Sequence, residues 1–276
     1  MEIKNAQIVC FSPTGTSRRI ARAVAEGAGA EDIRLADLTR TPNIPEIARQ
    51  TLTVIAVPVY GGHVAPLALK RMETLRSHGS PAILCVVYGN RDYEKALAEL
   101  DRFATAAGFV TAGAGTFIGE HSYSTERMPV AAGRPDERDL ETARQLGRST
   151  AEKLRAAATD APLRAIDVGR IPKPRKPLIP TLRFIGMVLR LRRSGKPMPK
   201  APEVSPQRCT LCGNCSGICP TGAIARGDEL HTDASRCIRC CACVKRCPQR
   251  ARTFDTPFAR ILHACCRKPK KPQTLC

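Results

Sequence analysis

The stretch AQIVCFSPTGTSRR, residues 6–19, passes from an apolar segment into a loop of small hydroxyl residues and on into a helical pattern. The apolar half reads as a strand near residues 6–11 and the periodic half as a helix over 16–28. Between them Ser12, Thr14, Gly15, Thr16 and Ser17 set hydroxyls and free backbone amides at a helix N-terminus, where the helix dipole favours negative charge. A phosphate monoester needs those groups. A plain helix cap uses the same ones, so the loop alone leaves both readings open. It has neither the lysine of a Walker loop nor the G-x-G-x-x-G of a dinucleotide fold.

Outward from this stretch, strands are expected near 31–36, 52–57, 82–87 and 109–118, and helices over 65–78, 93–107 and 136–158. The last helix carries Asp136, Glu137 and Asp139 at its start. This alternation predicts an α/β domain over residues 1–160, a doubly wound parallel sheet of five strands with helices on both faces. Such sheets bind ligands past the C-terminal ends of their strands. Two further loops fall there: PVYGGHVAP, residues 58–66, and YGNRDY, residues 88–93. The chain has no Trp and four Tyr, and three of those four sit in these two loops, a concentration that points to a stacked aromatic ligand.

The three loops together resemble those of flavodoxins. The resemblance implies a flavodoxin-like fold and bound FMN. The first loop would hold the phosphate and Tyr60 would lie against the flavin ring. Gly61 and Gly62 would allow close backbone approach. The third loop, from Tyr88, would bring Gly89 and Asn90 to the pyrimidine edge and Tyr93 to the second stacking position. Two residues depart from the family pattern: Pro13 stands where a hydroxyl residue is often found, and Asn90 where an acidic one is usual. The segment GEHSYSTERMPVAAGRPD, residues 119–136, is long for a connection, so His121, Ser122 and Tyr123 are candidates for the flavin surroundings or the face between the domains, or else for a surface excursion. His63 is a weaker candidate.

The C-terminal part has a different chemistry. CTLCGNCSGICP (209–220) and CIRCCACVKRCP (237–248) repeat one arrangement, C-x2-C-x2-C followed by a fourth cysteine and a proline. Zinc sites also use C-x2-C pairs, but they gain nothing from a triplet plus a distant single cysteine. The two runs resemble bacterial two-cluster ferredoxins, in which the fourth thiolate of each cluster comes from the other run. That resemblance implies one [4Fe-4S] cluster on Cys209, Cys212, Cys215 and Cys247, and another on Cys237, Cys240, Cys243 and Cys219. Pro220 and Pro248 stand where the family's prolines stand. The module is a small α+β domain over residues 206–255. Cys10 and Cys85 read as apolar strand residues, and Cys241, Cys265, Cys266 and Cys276 as bystanders.

Residues 161–205 form a basic, proline-rich linker. Within it Pro180 and Gly195 could bound an amphipathic helix bearing Leu182, Ile185 and Leu189 on one side and Arg183, Arg190 and Arg193 on the other. Residues 256–276 read as a basic tail, loose at its end. Charge is lopsided: residues 1–160 hold 20 Lys and Arg against 19 Asp and Glu, whereas 161–276 hold 24 against 6. Thiolate ligation makes a metallated module less positive, yet it stays basic. Three phenylalanines are too few there for nucleic-acid stacking platforms, so no nucleic acid is expected as a partner. An acidic redox protein or an anionic membrane surface suits the charge. Without a leader-like start or a run near 20 apolar residues, a cytoplasmic location is expected, and no transmembrane helix.

A flavodoxin–ferredoxin fusion of the kind found in anaerobic bacteria and archaea would pass electrons between FMN and two [4Fe-4S] clusters and on to or from a redox partner. The alternative is an FMN-dependent reductase of a small molecule, with the clusters as an internal wire. No residue stands out as an acid, base or nucleophile, so no catalytic residue is assigned.

Overall fold

A computed structural model describes residues 3–49, 51–157, 163–195 and 197–276. The first half builds β1 (Asn5–Cys10), α1 (Thr16–Gly27), β2 (Asp32–Asp37), β3 (Leu52–Tyr60), β4 (His63–Val64), α2 (Pro66–Met72), β5 (Pro81–Tyr88), α3 (Ala96–Ala106), β6 (Val110–Ile118) and α4 (Glu137–Ala156). The five long strands pair in parallel in the order β2-β1-β3-β5-β6. Counted in chain order that is 2-1-3-4-5, the flavodoxin-like doubly wound topology. All eight residues of β5, PAILCVVY, are buried, as expected of a central parallel strand covered on both faces.

The helices follow from their apolar stripes and caps. In α1, Ile20, Ala21 and Val24 are buried against the sheet. A capping box starts α4: the Asp136 carboxylate accepts from the Asp139 amide, and the Asp139 carboxylate from the Asp136 amide. These two helices pack closely because Gly147 sits at their crossing, where a Cβ would lie 2.1 Å from the Val24 carbonyl oxygen. Ala158, the last residue of the helix expected over 136–158, and the expected domain boundary at 160/161 lie outside the described residues.

Two helices are shorter than expected. The run over 65–78 stops at Met72 because residues beyond it bond elsewhere: the Ser77 amide donates to the Ala107 carbonyl at 2.7 Å and the Gly79 amide to that of Gly108 at 2.8 Å. The run from 93 starts at Ala96 because Asp92 Oδ1 accepts from the Glu94 amide at 3.0 Å and Glu94 is left-handed, at φ 42°.

The second half contributes α5 (Leu178–Arg193), β7 (Glu203–Val204), α6 (Asn214–Ile218), α7 (Ala242–Lys245), β8 (Arg252–Thr253), α8 (Pro257–Cys265) and β9 (Gln273–Leu275). The chain divides into two compact units that do not follow the linear order. One comprises Met1–Glu120, Gly133–Pro174 and Lys270–Cys276, the other His121–Ala132 and Arg175–Pro269. The linear division into domain, linker, module and tail is corrected accordingly. Residues 163–174 belong to the sheet unit, held by Ile166 N donating to Thr111 O at 2.9 Å and by the buried Ile171. The tail is not loose: β9 adds an antiparallel edge strand, with Ala114 opposite Leu275 and Thr116 opposite Gln273. In the second unit β7 and β8 pair antiparallel around the cysteine-rich stretch, and α5 packs on α8.

Candidate cofactor sites

In the sheet unit the loop after β1 is a tight cradle. Gly15 is left-handed at φ 87° and caps α1 with no side-chain hydrogen bond. Ser12 closes the loop, its Oγ accepting from the Arg18 amide at 3.0 Å and its amide donating to Thr39 Oγ1 at 2.8 Å. The Thr14 and Thr16 hydroxyls lie 3.5 Å apart. Ser17 is fully buried and its hydroxyl has no hydrogen-bond partner among the described residues. A buried donor left unpaired costs stability, and an anion seated in the loop would pair it. The residues present therefore fit a phosphate.

Past β3 the chain reverses through Gly61 and Gly62 into β4, with Tyr60 opposite His63. Both glycines have positive φ, 63° and 90°, as a two-residue hairpin turn of this hand requires. Tyr60 is half-buried. His63 is turned to α3, paired with Glu99, whose other carboxylate oxygen accepts from the Val64 amide at 3.0 Å; it serves the hairpin.

The third loop differs from expectation. Tyr93 is 4% exposed and meets Tyr88 edge-on at 5.8 Å between ring centroids, so it is a core residue and presents no open face for stacking. Left-handed conformations at Asn90 and Glu94 turn the loop inward and cause this. The Asn90 side chain is fully buried. Its Oδ1 accepts from the Lys270 amide at 2.9 Å, and Lys270 Nζ donates to the Arg91 carbonyl. Lys270, three residues before β9, thus anchors this loop, a role that sequence reasoning missed because the bond is to a backbone amide 180 residues away.

His121, Ser122 and Tyr123 lie in the other unit. There Tyr123 packs on Phe254 at 5.2 Å and on His121 at 5.0 Å, while Lys245 Nζ donates to the Ser124 carbonyl at 2.8 Å. Burial pushes the Tyr123 phenol up. These residues are structural parts of the cysteine-rich unit.

Among the described residues of that unit, two cavities are lined by cysteines. Cys209, Cys212, Cys215 and Cys247 line one, of about 320 Å³ with its open mouth; Cys219, Cys237, Cys240 and Cys243 line the other, of about 340 Å³. Each set of four draws three cysteines from one run and one from the other. Gly213, left-handed at φ 74°, starts α6 between two cysteines of the first run, and Cys241, at φ 58°, starts α7 in the second. Burial first, and then the neighbouring cysteines, push the Cys240 thiol up to about 12 and that of Cys243 to about 11; bound iron would supply the charge that draws them to thiolates. Cys241 also borders the second cavity, but its Sγ points to the Arg239 carbonyl oxygen at 3.6 Å. Cys10 and Cys85 are fully buried strand residues, and burial raises both thiols.

The first cavity holds a residue that spacing could not reveal. Glu229 is 1% exposed; its Oε1 accepts from the Gly227 amide at 3.0 Å and the Ser216 hydroxyl at 3.3 Å, while its Oε2 has no partner among the described residues. The Gly227 bond holds its carboxyl below the usual carboxylate range. Arg252, also buried, lines the same cavity and donates to the Glu229 carbonyl and, at 2.9 Å, to Thr232.

Residues 202–225 and 230–253 match the 4Fe-4S binding domain family. Ferredoxin-1 of Chlorobaculum tepidum is 43% identical over 49 residues, spanning 15% of this chain and 79% of that protein. Through this module the chain belongs to the 4Fe-4S ferredoxins. The ferredoxin module carries two [4Fe-4S] clusters, and its chemistry is electron transfer. A selenate reductase component from Mesobacillus selenatarsenatis is 36% identical over 57 residues, but the chain spans only a fifth of its length, 20%. For the other unit, an archaeal flavodoxin superposes over 55% of this chain and 99% of its own, at 14% identity and a TM-score of 0.41. A flavodoxin from Streptococcus pneumoniae does so over 56% and 99%, at 20% identity and 0.39. The strand order places this unit in the flavodoxin-like class independently of them. Among the described residues no helix is long and apolar enough to cross a membrane.

Proposed function

We propose that the chain is a flavo-iron–sulfur electron carrier that passes electrons between FMN, held by the sheet unit, and the two clusters, and on to or from a redox protein. The observation that carries the FMN assignment is the cradle after β1, with its unpaired, buried Ser17 hydroxyl and its uncapped helix end. Ser12, Thr14, Gly15, Thr16 and Ser17 bind the phosphate, Tyr60 with Gly61 and Gly62 faces the ring, and Gly89 lies at the edge of the site. Cys209, Cys212, Cys215 and Cys247 hold one cluster and Cys237, Cys240, Cys243 and Cys219 the other, in keeping with the lining of the two cavities. When bound, FMN supplies exchange of one or two electrons and the clusters exchange of one each.

The chemistry of the module's surface favours an acidic partner. Arg208, Arg236, Arg239 and Arg246 are exposed, and each neighbours a ligand cysteine in sequence. Charges so placed steer an acidic protein to the clusters and make association fall as salt rises. Anaerobic purification followed by cofactor analysis tests the whole reading. It should give about eight iron and eight sulfide per chain with about one FMN. Iron without any capacity to bind FMN would reduce the protein to a two-cluster carrier with an empty flavodoxin-like unit.

A further inference from the structure

No residue of α5 is buried. Its two faces differ. Phe184, Met187, Val188 and Leu191 are half-buried, on the side where the helix packs on α8. Leu178, Leu182, Ile185 and Leu189 recur at helical spacing on the opposite side and are exposed by 71%, 58%, 48% and 44%. Water-facing leucine and isoleucine in an unbroken stripe call for a cover.

Charge selects the cover. Residues 168–202 contain ten Lys and Arg and no Asp or Glu. Arg183 and Arg190 lie on one flank of the stripe, and Arg192 and Arg193 at its C-terminal end, all exposed. A second copy of the chain laid on the stripe would bring these arginines against their equals, which disfavours a dimer. An anionic lipid surface satisfies both features: the aliphatic side chains enter the acyl boundary while the guanidinium groups reach the headgroup phosphates. We infer that α5 is a peripheral membrane anchor that lies in the interface of an anionic bilayer.

The full chain with its cofactors should sediment with phosphatidylcholine vesicles containing phosphatidylglycerol in low salt, and not with phosphatidylcholine alone. Changing Arg183, Arg190, Arg192 and Arg193 to Gln should lower the partition coefficient by roughly 100-fold or more. The chain has no tryptophan, so Leu182→Trp gives a single reporter whose emission should shift to the blue on anionic vesicles. Cofactor content should stay unchanged in both variants, which separates anchoring from folding. The inference is overturned if the full chain stays in the supernatant, if the Gln variant binds as well as the parent, or if the reporter does not shift. A concentration-dependent dimer in ultracentrifugation that Ile185→Glu dissolves would likewise overturn it, by assigning the stripe to a second copy.

Discussion

Ser17→Ala should act with opposite signs on the flavin-free and flavin-bound protein. The Ser17 hydroxyl is fully buried and unpaired, so the flavin-free chain bears the cost of desolvating it without a compensating bond. Such a group costs about 1–3 kcal/mol, and its removal should recover part of that, on the order of 1 kcal/mol once the small space left by the oxygen is counted. With FMN bound, the same hydroxyl would donate to a phosphate dianion. Hydrogen bonds to charged groups contribute roughly 1.5–3 kcal/mol, so the variant should bind FMN about 10- to 150-fold more weakly. Adding Thr14→Val should weaken binding further. Quenching of flavin fluorescence on titration with the flavin-free full chain measures affinity, and thermal denaturation of the same preparation measures stability. Affinity unchanged within twofold would make the loop an ordinary helix cap. A less stable flavin-free Ser17→Ala protein would show that the hydroxyl already has a partner.

Ending the chain at Pro269 removes β9 and both Lys270 bonds to the third loop; at about 1 kcal/mol per bond the loop should open more readily, seen as faster hydrogen exchange over residues 88–94 and faster FMN release. Unaltered exchange there would make the strand idle. Cys212→Ala should remove one cluster, halving iron, whereas Cys241→Ala should leave iron at its full value because that sulfur points to the Arg239 carbonyl. Glu229→Gln removes a buried negative charge beside the first cluster and should raise the potential of one cluster only, read by stepwise reduction with EPR; equal shifts in both would contradict the cavity assignment. Gly62→Ala forces a side chain into φ 90° and towards Glu94, and should cost the sheet unit about 1–2 kcal/mol of stability in thermal melts.

What the sequence made legible was whatever rests on local pattern. The apolar runs around Ile8, Val54 and Leu84 mark strands because a parallel sheet buries both faces, and the cysteine spacing marks the clusters because ligand geometry is written in intervals of two and three residues. The misplaced features depend on contacts distant in the chain. Tyr93 reads as a stacking aromatic until left-handed residues on both sides of it turn the loop into the core. Tyr123 reads equally as lining the flavin or the face between the domains or as part of a surface loop, and only the fold shows its ring meeting Phe254 in the cysteine-rich unit. Glu229 carries no spacing signal: only the fold shows a carboxylate buried at a cluster cavity. The tail looked loose because QTL is a short polar strand, and only the exposed edge of β6 makes it pair.

The allocation of segments to the two units bears on how the protein must be studied. The chain leaves the sheet unit at Glu120, returns at Gly133, leaves again at Pro174 and returns at Lys270. A cut between 157 and 163 would leave an N-terminal fragment that retains the phosphate loop but lacks the buried Ile171 and the Lys270 amide that bonds Asn90. The complementary fragment would hold all eight ligand cysteines but lack Tyr123, Ser124 and Glu126, which pack on Phe254, accept from Lys245 and pair with Arg250. Neither half is whole after a single scission. Weak flavin binding or unstable clusters in such fragments would therefore follow from missing parts of each unit's own fold, and only variants of the full chain can assign those losses to a cofactor site.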